Sequence, residues 1–258
     1  MSPLSRDTLT VFLSARRIVL ERRTGLFARR VAARAEIPVT SVPGSSGIAV
    51  LDALDGELKD PRWHDANARV TISNSMVRFV TVPASSDVVG LGDEVALARL
   101  RLQQVHGGSG DPLEIRLSSP LSGRGQLAAA LESGFLEALL ASLSAAKLRP
   151  SAIEPLFMRA FNRARPRLAG ADYWFACAEP GMLGIGRVSG GSWASIAFAP
   201  FGTDLSAALG LSIREAVLLS ADELPPARAY VHAEGVDFQG ASGQIGVECV
   251  DVSSGRAA

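Results

Sequence analysis

At 258 residues the chain has room for one large domain or two modest lobes with cores of their own. Apolar residues make up 47% and aromatic residues only 6%, so a core must be built from Ala, Val, Leu and Ile rather than from rings. Lys plus Arg and Asp plus Glu stand at 26 each, which excludes a global field that would steer nucleic acid or an acidic substrate to the surface.

That balance conceals a local crowd of arginines near the start: Arg16, Arg17, Arg22, Arg23, Arg29, Arg30 and Arg34. The cysteines, Cys177 and Cys249, lie far apart in apolar, strand-like surroundings, so we expect no disulfide framework and a reducing compartment. Residues 1–10 lack the apolar run of a signal peptide. No stretch reaches the roughly 20 consecutive apolar residues that span a bilayer. Attachment to a membrane is therefore expected only through a partner or a charged surface.

In chain order, residues 9–13 read as a strand, 14–15 as a turn, and 18–22 as a returning strand with alternating character. A Thr24-Gly25 turn leads to a third strand over 26–35. A Pro/Gly/Ser loop at 43–47 precedes a helix over 48–58 with Ile48, Leu51 and Leu54 at helical spacing. Residues 68–73 and 77–82 are strands joined at Asn74-Ser75, and 93–106 is a helix whose Asp93 and Glu94 suit its positive end. Residues 113–117 form a strand. The Ala- and Leu-rich stretch 126–147 reads as one long helix. Residues 151–154 are extended, and Pro155 opens a helix to about residue 165.

Residues 165–170 read as a joint, after which the opening pattern recurs. Strands at 172–178, 183–188 and 192–198 are joined by turns at Gly181 and Gly190-Gly191, and a helix over 205–219 and strands at 227–232 and 244–250 follow. A three-strand meander that leads into a parallel crossover is the ribonuclease-H-like topology. Its duplication in one chain is the actin-like ATPase architecture, an α/β fold, here with a shortened second half.

Several segments resemble the PilM/GspL group of pilus and type II secretion assembly proteins. Arg69-Val70-Thr71-Ile72-Ser73-Asn74, followed by Val77-Arg78-Phe79-Val80-Thr81-Val82-Pro83 and by Asp93-Glu94, is similar to that group's strand-turn-strand and the helix after it. Ala146-Lys147-Leu148-Arg149-Pro150 running into Ile153-Glu154-Pro155-Leu156-Phe157 is similar to its crossing between subdomains. Arg214-Glu215, with the later strand Ala229-Tyr230-Val231-His232, is similar to its closing elements. The resemblance implies a first lobe over 1–165 with a small inserted subdomain at about 77–117, and a second lobe over 166–258.

It also implies where a nucleotide would sit, and there the chain departs from the group's ATPases. An actin-like ATPase wraps phosphates with two Asp-x-Gly turns, whose glycines allow the backbone close to an oxyanion. At the first position stands Leu13-Ser14-Ala15, with neither Asp nor Gly; at the second, Glu179-Pro180-Gly181, where proline removes an N–H donor. The adenosine position carries Ala233-Glu234-Gly235 rather than Gly-Gly. Ser14, Glu154, Glu179, Gly181, Glu234 and Gly235 therefore read as a degenerate nucleotide site in a pseudo-ATPase that takes no cofactor. The alternative is an active ATPase or small-molecule kinase using ATP and Mg²⁺ through divergent loops.

The partners that the resemblance implies are the cytoplasmic tail of a PilN-like bitopic inner-membrane protein and, further, an assembly ATPase, with a homodimer left open. Val77, Phe79 and Val82 are the candidate lining of the partner groove, and the chain is expected in the cytoplasm, peripheral to the inner membrane. The arginine run reads either as a solvated or protected sheet edge or as a basic stripe for anionic lipid or an acidic segment. Few aromatics interleave with it, so nucleic acid is not expected. His64, His106 and His232 lack ligand spacing, and Cys177 reads as a core residue. The glycines at 181, 184, 186 and 190 do not spell a dinucleotide loop and read as hairpin glycines, and no G-x-S-x-G elbow occurs.

Overall fold

The computed structural model describes residues 7–25, 30–40, 46–84, 90–108, 111–121, 125–219, 225–238 and 246–253. Arg29, the first residues of the expected strand at 26–35 and the first two of that at 244–250 lie outside the described residues. The strands in chain order are β1 (Thr8–Leu13), β2 (Arg17–Thr24), β3 (Arg30–Pro38), β4 (Asn67–Ile72), β5 (Arg78–Val82), β6 (Leu113–Leu117), β7 (Gln126–Glu132), β8 (Arg149–Pro155), β9 (Tyr173–Glu179), β10 (Met182–Ser189), β11 (Ser192–Pro200), β12 (Arg228–Ala233) and β13 (Glu248–Asp251). The helices are α1 (Ser46–Leu58), α2 (Leu91–His106), α3 (Ser133–Ala145), α4 (Leu156–Ala164) and α5 (Leu205–Leu218).

The chain forms two compact units. One comprises Met1–Val77, Gly110–Glu114 and Leu131–Leu156, the other Arg78–Ser109, Ile115–Ala130 and Phe157–Ala258. Each contains a five-stranded sheet, ordered β3-β2-β1-β4-β8 in the first and β11-β10-β9-β12-β13 in the second. The connectivity is the same in both. A central strand pairs antiparallel with the next in sequence on one side, and parallel with a crossover strand on the other. The described residues between β12 and β13 hold no helix.

In the first unit β1 alternates cleanly, with Leu9, Val11 and Leu13 fully buried and the intervening Thr8, Thr10 and Phe12 half-buried. Ile18 and Leu20 of β2 join them, and α1 contributes Val50, Leu54 and Leu58 to the core. After α1, Asp60 caps a 3-10 turn by accepting a hydrogen bond from the Arg62 N–H at 2.9 Å, and Pro61 occupies a position where no donor is needed. The turn seats Trp63, fully buried, whose indole N–H donates to Glu57 Oε1 at 2.9 Å.

In the second unit every residue of β9 is buried, as a strand covered on both faces must be. β10 shows how the faces differ. Leu183 and Ile185 pack with Leu205, Leu209 and Ile213 of α5, Trp174 and Val231 in one apolar core. Gly184 and Gly186, on the opposite face, leave room for rings. A Cβ on Gly184 would stand 2.4 Å from a Phe198 ring carbon, and one on Gly186 2.5 Å from a Trp193 ring carbon. Phe157 lies edge-on to Phe175 and Phe198 at centroid distances of 5.3 and 5.7 Å, and Phe79 stacks on Phe198 at 4.8 Å. A chain poor in aromatics thus concentrates them on one sheet face, where absent side chains make the space.

One expected element is overturned. Residues 126–147 are not a single helix: Gln126–Glu132 is a strand and the helix begins at Ser133. β7 pairs antiparallel with β5, from Arg78↔Ala130 to Val82↔Gln126, and lies between β5 and β6 in a three-stranded sheet. Leu127, Ala128 and Ala130 are at most 1% exposed. Alanine's helix propensity is worth less than about 1 kcal/mol per residue, so a paired and buried setting overrides it. Helix α2 packs on β5 and ends with His106, whose Nε2 is 3.0 Å from the Phe79 carbonyl oxygen.

The glycines of β10 carry a prediction. Gly186→Ala forces a methyl into the Trp193–Phe157 contact and should destabilise the protein by about 1–3 kcal/mol in urea titrations. Gly134→Ala, in α3 with nothing within 4 Å of the new methyl, should leave stability unchanged or raise it by up to about 1 kcal/mol.

Candidate functional site

In a parallel crossover the carboxyl ends of neighbouring strands line up, and there a sheet of this kind presents its polar groups. In the first unit the register Leu13↔Ile72↔Pro155 brings the ends of β1, β4 and β8 level. Ser14 follows β1, Ser73 and Asn74 follow β4, and Glu154 is the penultimate residue of β8. Ser73 N–H donates to the Leu13 carbonyl oxygen at 2.8 Å, which locks the two strand ends together. Ser73 Oγ caps the short 3-10 turn that follows by accepting from the Ser75 N–H at 3.2 Å.

The turn between β1 and β2 is closed from inside. Ser14 Oγ accepts hydrogen bonds from the backbone N–H of Arg17 at 3.0 Å and of Arg16 at 3.4 Å, and its hydroxyl donates to the Arg17 carbonyl oxygen at 2.9 Å. These backbone donors would have to point outward to cradle a phosphate, and the chain's own serine takes them. No residue of this turn has a positive φ.

In the second unit the register Cys177↔His232 and Ala178↔Ala233 aligns the ends of β9 and β12. Glu179, 3% exposed, ends β9, and Pro180-Gly181 turns the chain into β10 with Gly181 at φ 84°. Proline followed by a glycine of positive φ suits a type II turn, and it leaves the first of the two turn residues without a donor. Beyond β12, Glu234 N–H donates to the Ala178 carbonyl oxygen at 2.8 Å, and Gly235 turns away at φ 67°. Ser253, after β13, accepts from the Ala233 N–H at 2.8 Å. Each sheet therefore brings its own share of the expected site residues to its carboxyl edge: Ser14 and Glu154 in one, Glu179, Gly181, Glu234 and Gly235 in the other.

Sequence reasoning missed His232 as part of that edge. It is 5% exposed, and its Nε2 lies 3.2 Å from Glu234 Oε2. The hydrogen bond from His232 holds the Glu234 carboxyl below the usual carboxylate range, against the opposing effect of burial, and Arg159 and Arg163 of α4 add to the lowering. The sequence signal was the His-x-Glu spacing at a strand end, which puts both side chains on the same side of the strand. Thr71, Ser73 and Asn74, all 2–3% exposed, were also missed, although a polar run closing an apolar strand marks such an edge. Among the described residues no three His, Cys, Asp or Glu side chains gather as a metal site.

One expected surface is corrected. Val77, Phe79 and Val82, read as the lining of a partner groove, are 8%, 4% and 3% exposed. They are core residues, because alternation along a strand reports a covered face without saying what covers it. In the arginine run, three side chains pair within the chain. Arg22 pairs with Asp7 at 2.7 Å, Arg17 with Glu36 at 2.8 Å and Arg23 with Glu21 at 2.6 Å. Arg16, Arg30 and Arg34 remain exposed, and Arg16 and Arg30 stand at opposite ends of the meander.

The Glu234 carboxyl gives a pH prediction with a definite sign. A carboxyl whose folded pKa is depressed adds stability above its ordinary value of 4.5, and that stability is lost as pH falls through the folded value. Glu234→Gln should therefore lower the melting temperature at pH 7, with the deficit shrinking once the pH drops below 4.5. Parallel melts of the two proteins across that window check it.

No protein-family model matches the chain, and no curated protein does. Solved structures do. The cytoplasmic domain of EpsL, an inner-membrane component of the type II secretion system of Vibrio cholerae, is 13% identical with a TM-score of 0.58, covering 96% of this chain and 90% of that one. The PilM-PilN type IV pilus biogenesis complex is 17% identical with a TM-score of 0.57, covering 95% and 88%. A Bacteroides thetaiotaomicron protein with an actin-like ATPase fold and unknown function is 9% identical with a TM-score of 0.57, covering 93% and 87%. These likenesses extend over nearly the whole chain and agree with the duplicated sheet order, so the chain has the actin-like ATPase fold.

Proposed function

We propose that this protein is a cytoplasmic scaffold of a type IV pilus or type II secretion-like inner-membrane platform, a pseudo-ATPase that binds the cytoplasmic tail of a bitopic partner. One observation carries the loss of nucleotide chemistry: the two hairpin turns that would wrap phosphates offer few free donors. The first gives its N–H groups to Ser14 Oγ, and the second has proline in place of one donor. A fold that keeps its architecture while its phosphate turns close supports a binding role.

The partner class rests on likeness in fold to the PilM-PilN complex and to the EpsL cytoplasmic domain. No described helix is long and apolar enough to cross a membrane, in keeping with recruitment by a partner. Because Val77, Phe79 and Val82 are buried, the tail is placed on none of them. An extended tail can add to a sheet edge or lie in a groove, with backbone hydrogen bonds supplying affinity and side-chain pockets specificity.

Thermal melts with Mg-ATP test the reading. A nucleotide at a hundred times its dissociation constant would stabilise the fold by about 2.7 kcal/mol, so we expect no shift in melting temperature at millimolar Mg-ATP. A clear rise would restore the active ATPase. In the same format, a synthetic tail from a bitopic protein encoded next to this one should raise the melting temperature, and its scrambled version should not.

A further inference from the structure

Helices α1 and α3 of the first unit lie side by side, each thirteen residues long, or about 20 Å at 1.5 Å per residue. Each buries one face. α1 turns Val50, Leu54 and Leu58 inward, and α3 turns Leu139 and Leu143 inward. Between them runs an open furrow of about 780 Å³, lined by Ile48, Leu51 and the largely buried Leu58 on one side and by Ala138, Ala141 and Ala145 on the other. Ile48 is 67% exposed, although an exposed helix start has no packing use for an isoleucine. The alanines opposite are exposed too, and their small size would let a third backbone approach closely.

The rim is charged in a definite order. Asp52 and Asp55 on α1 and Lys59 just past its end are all exposed, and none has a hydrogen bond or ion pair among the described residues. Glu57, by contrast, is engaged by Arg62 and Trp63. Asp55 and Lys59 stand four residues apart and do not pair with each other, so the whole series remains available to a partner.

We propose that this furrow is the docking site for an amphipathic helix of a partner protein. That helix carries an apolar stripe for Ile48, Leu51 and the alanines, and flanking charges ordered basic, basic, acidic to meet Asp52, Asp55 and Lys59. The furrow's length matches about three helical turns, and the apolar floor supplies affinity. The charge order supplies register and direction, since a helix laid in reverse would bring like charges together. This surface lies within one unit and is independent of the tail interaction proposed above.

The test uses the full chain and two designed helical peptides of about 18 residues with the same leucine stripe. One carries two lysines a turn apart and then a glutamate, the other glutamate at all three positions, so that laying it in either direction sets acids against Asp52 and Asp55. The first should bind at least tenfold more tightly than the second, as expected when several exposed ion pairs turn from attraction to repulsion together. Asp52→Lys with Asp55→Lys should invert that preference. Ala141→Trp, on an exposed helix face, should fill the furrow and abolish binding of both while circular dichroism and melting temperature stay unchanged. Equal affinity for the two peptides, a preference that survives the charge reversal, indifference to Ala141→Trp, or no binding at about 1 mM would each overturn the proposal. So would self-association of the chain that Ala141→Trp abolishes, since the occupant would then be a second copy.

Discussion

Each sheet is organised by its central strand, β1 in the first unit and β9 in the second, which joins an antiparallel neighbour to a parallel one. On one side it runs antiparallel into a turn of two or three residues; on the other it runs parallel to a strand that arrives by a crossover. Its register is not free. A slip of one residue in β1 would carry Leu9, Val11 and Leu13 out of the core and put three polar or half-buried side chains in their place. Once that register is set, so is the position of the turn, and so are the neighbouring strand ends. The alignment of the strand ends that carry Ser14, Ser73 and Glu154, and of those that carry Glu179, His232 and Glu234, follows from core packing several residues away.

The turns inherit a backbone problem from this arrangement. A tight turn at the end of a buried strand leaves N–H groups that need partners. In a nucleotide-binding relative of the fold, phosphate oxygens can serve, and glycine lets them come close. Here the first turn is supplied by a serine hydroxyl that reaches back over its own residues, and the second has a proline that takes one donor away. These are different local solutions to one requirement.

The sequence was legible wherever local chemistry decides the outcome. Pro180-Gly181 and Gly190-Gly191 mark their hairpins because positive φ is demanded there, and all three glycines have it. The repeated meander could be read from such turns alone. β7 was not legible, because Gln126-Leu127-Ala128-Ala129-Ala130-Leu131-Glu132 has a helix former's composition and becomes a strand only when β5 and β6 are present to pair with it. Phe79 misled in a related way: an apolar side chain on a strand fits a docking groove or a core equally well until its neighbour Phe198 is known. The pairing of Arg22 with Asp7 likewise needs the fold, since fifteen residues separate the partners.

The fate of the arginines bears on how this protein meets others. Asp7, Glu21 and Glu36 neutralise three of them within the same meander. On the edge strand β3, the exposed Arg30 and Arg34 flank an irregularity at which Ala32 is skipped in the pairing with β2. Charge and a bulge on an outer strand both discourage a foreign strand from adding there. These are the devices that keep sheets from aggregating, and they disfavour β-addition at that edge. The docking surface we propose for the first unit lies instead on its helical layer, where charges without a partner among the described residues stand beside exposed apolar side chains.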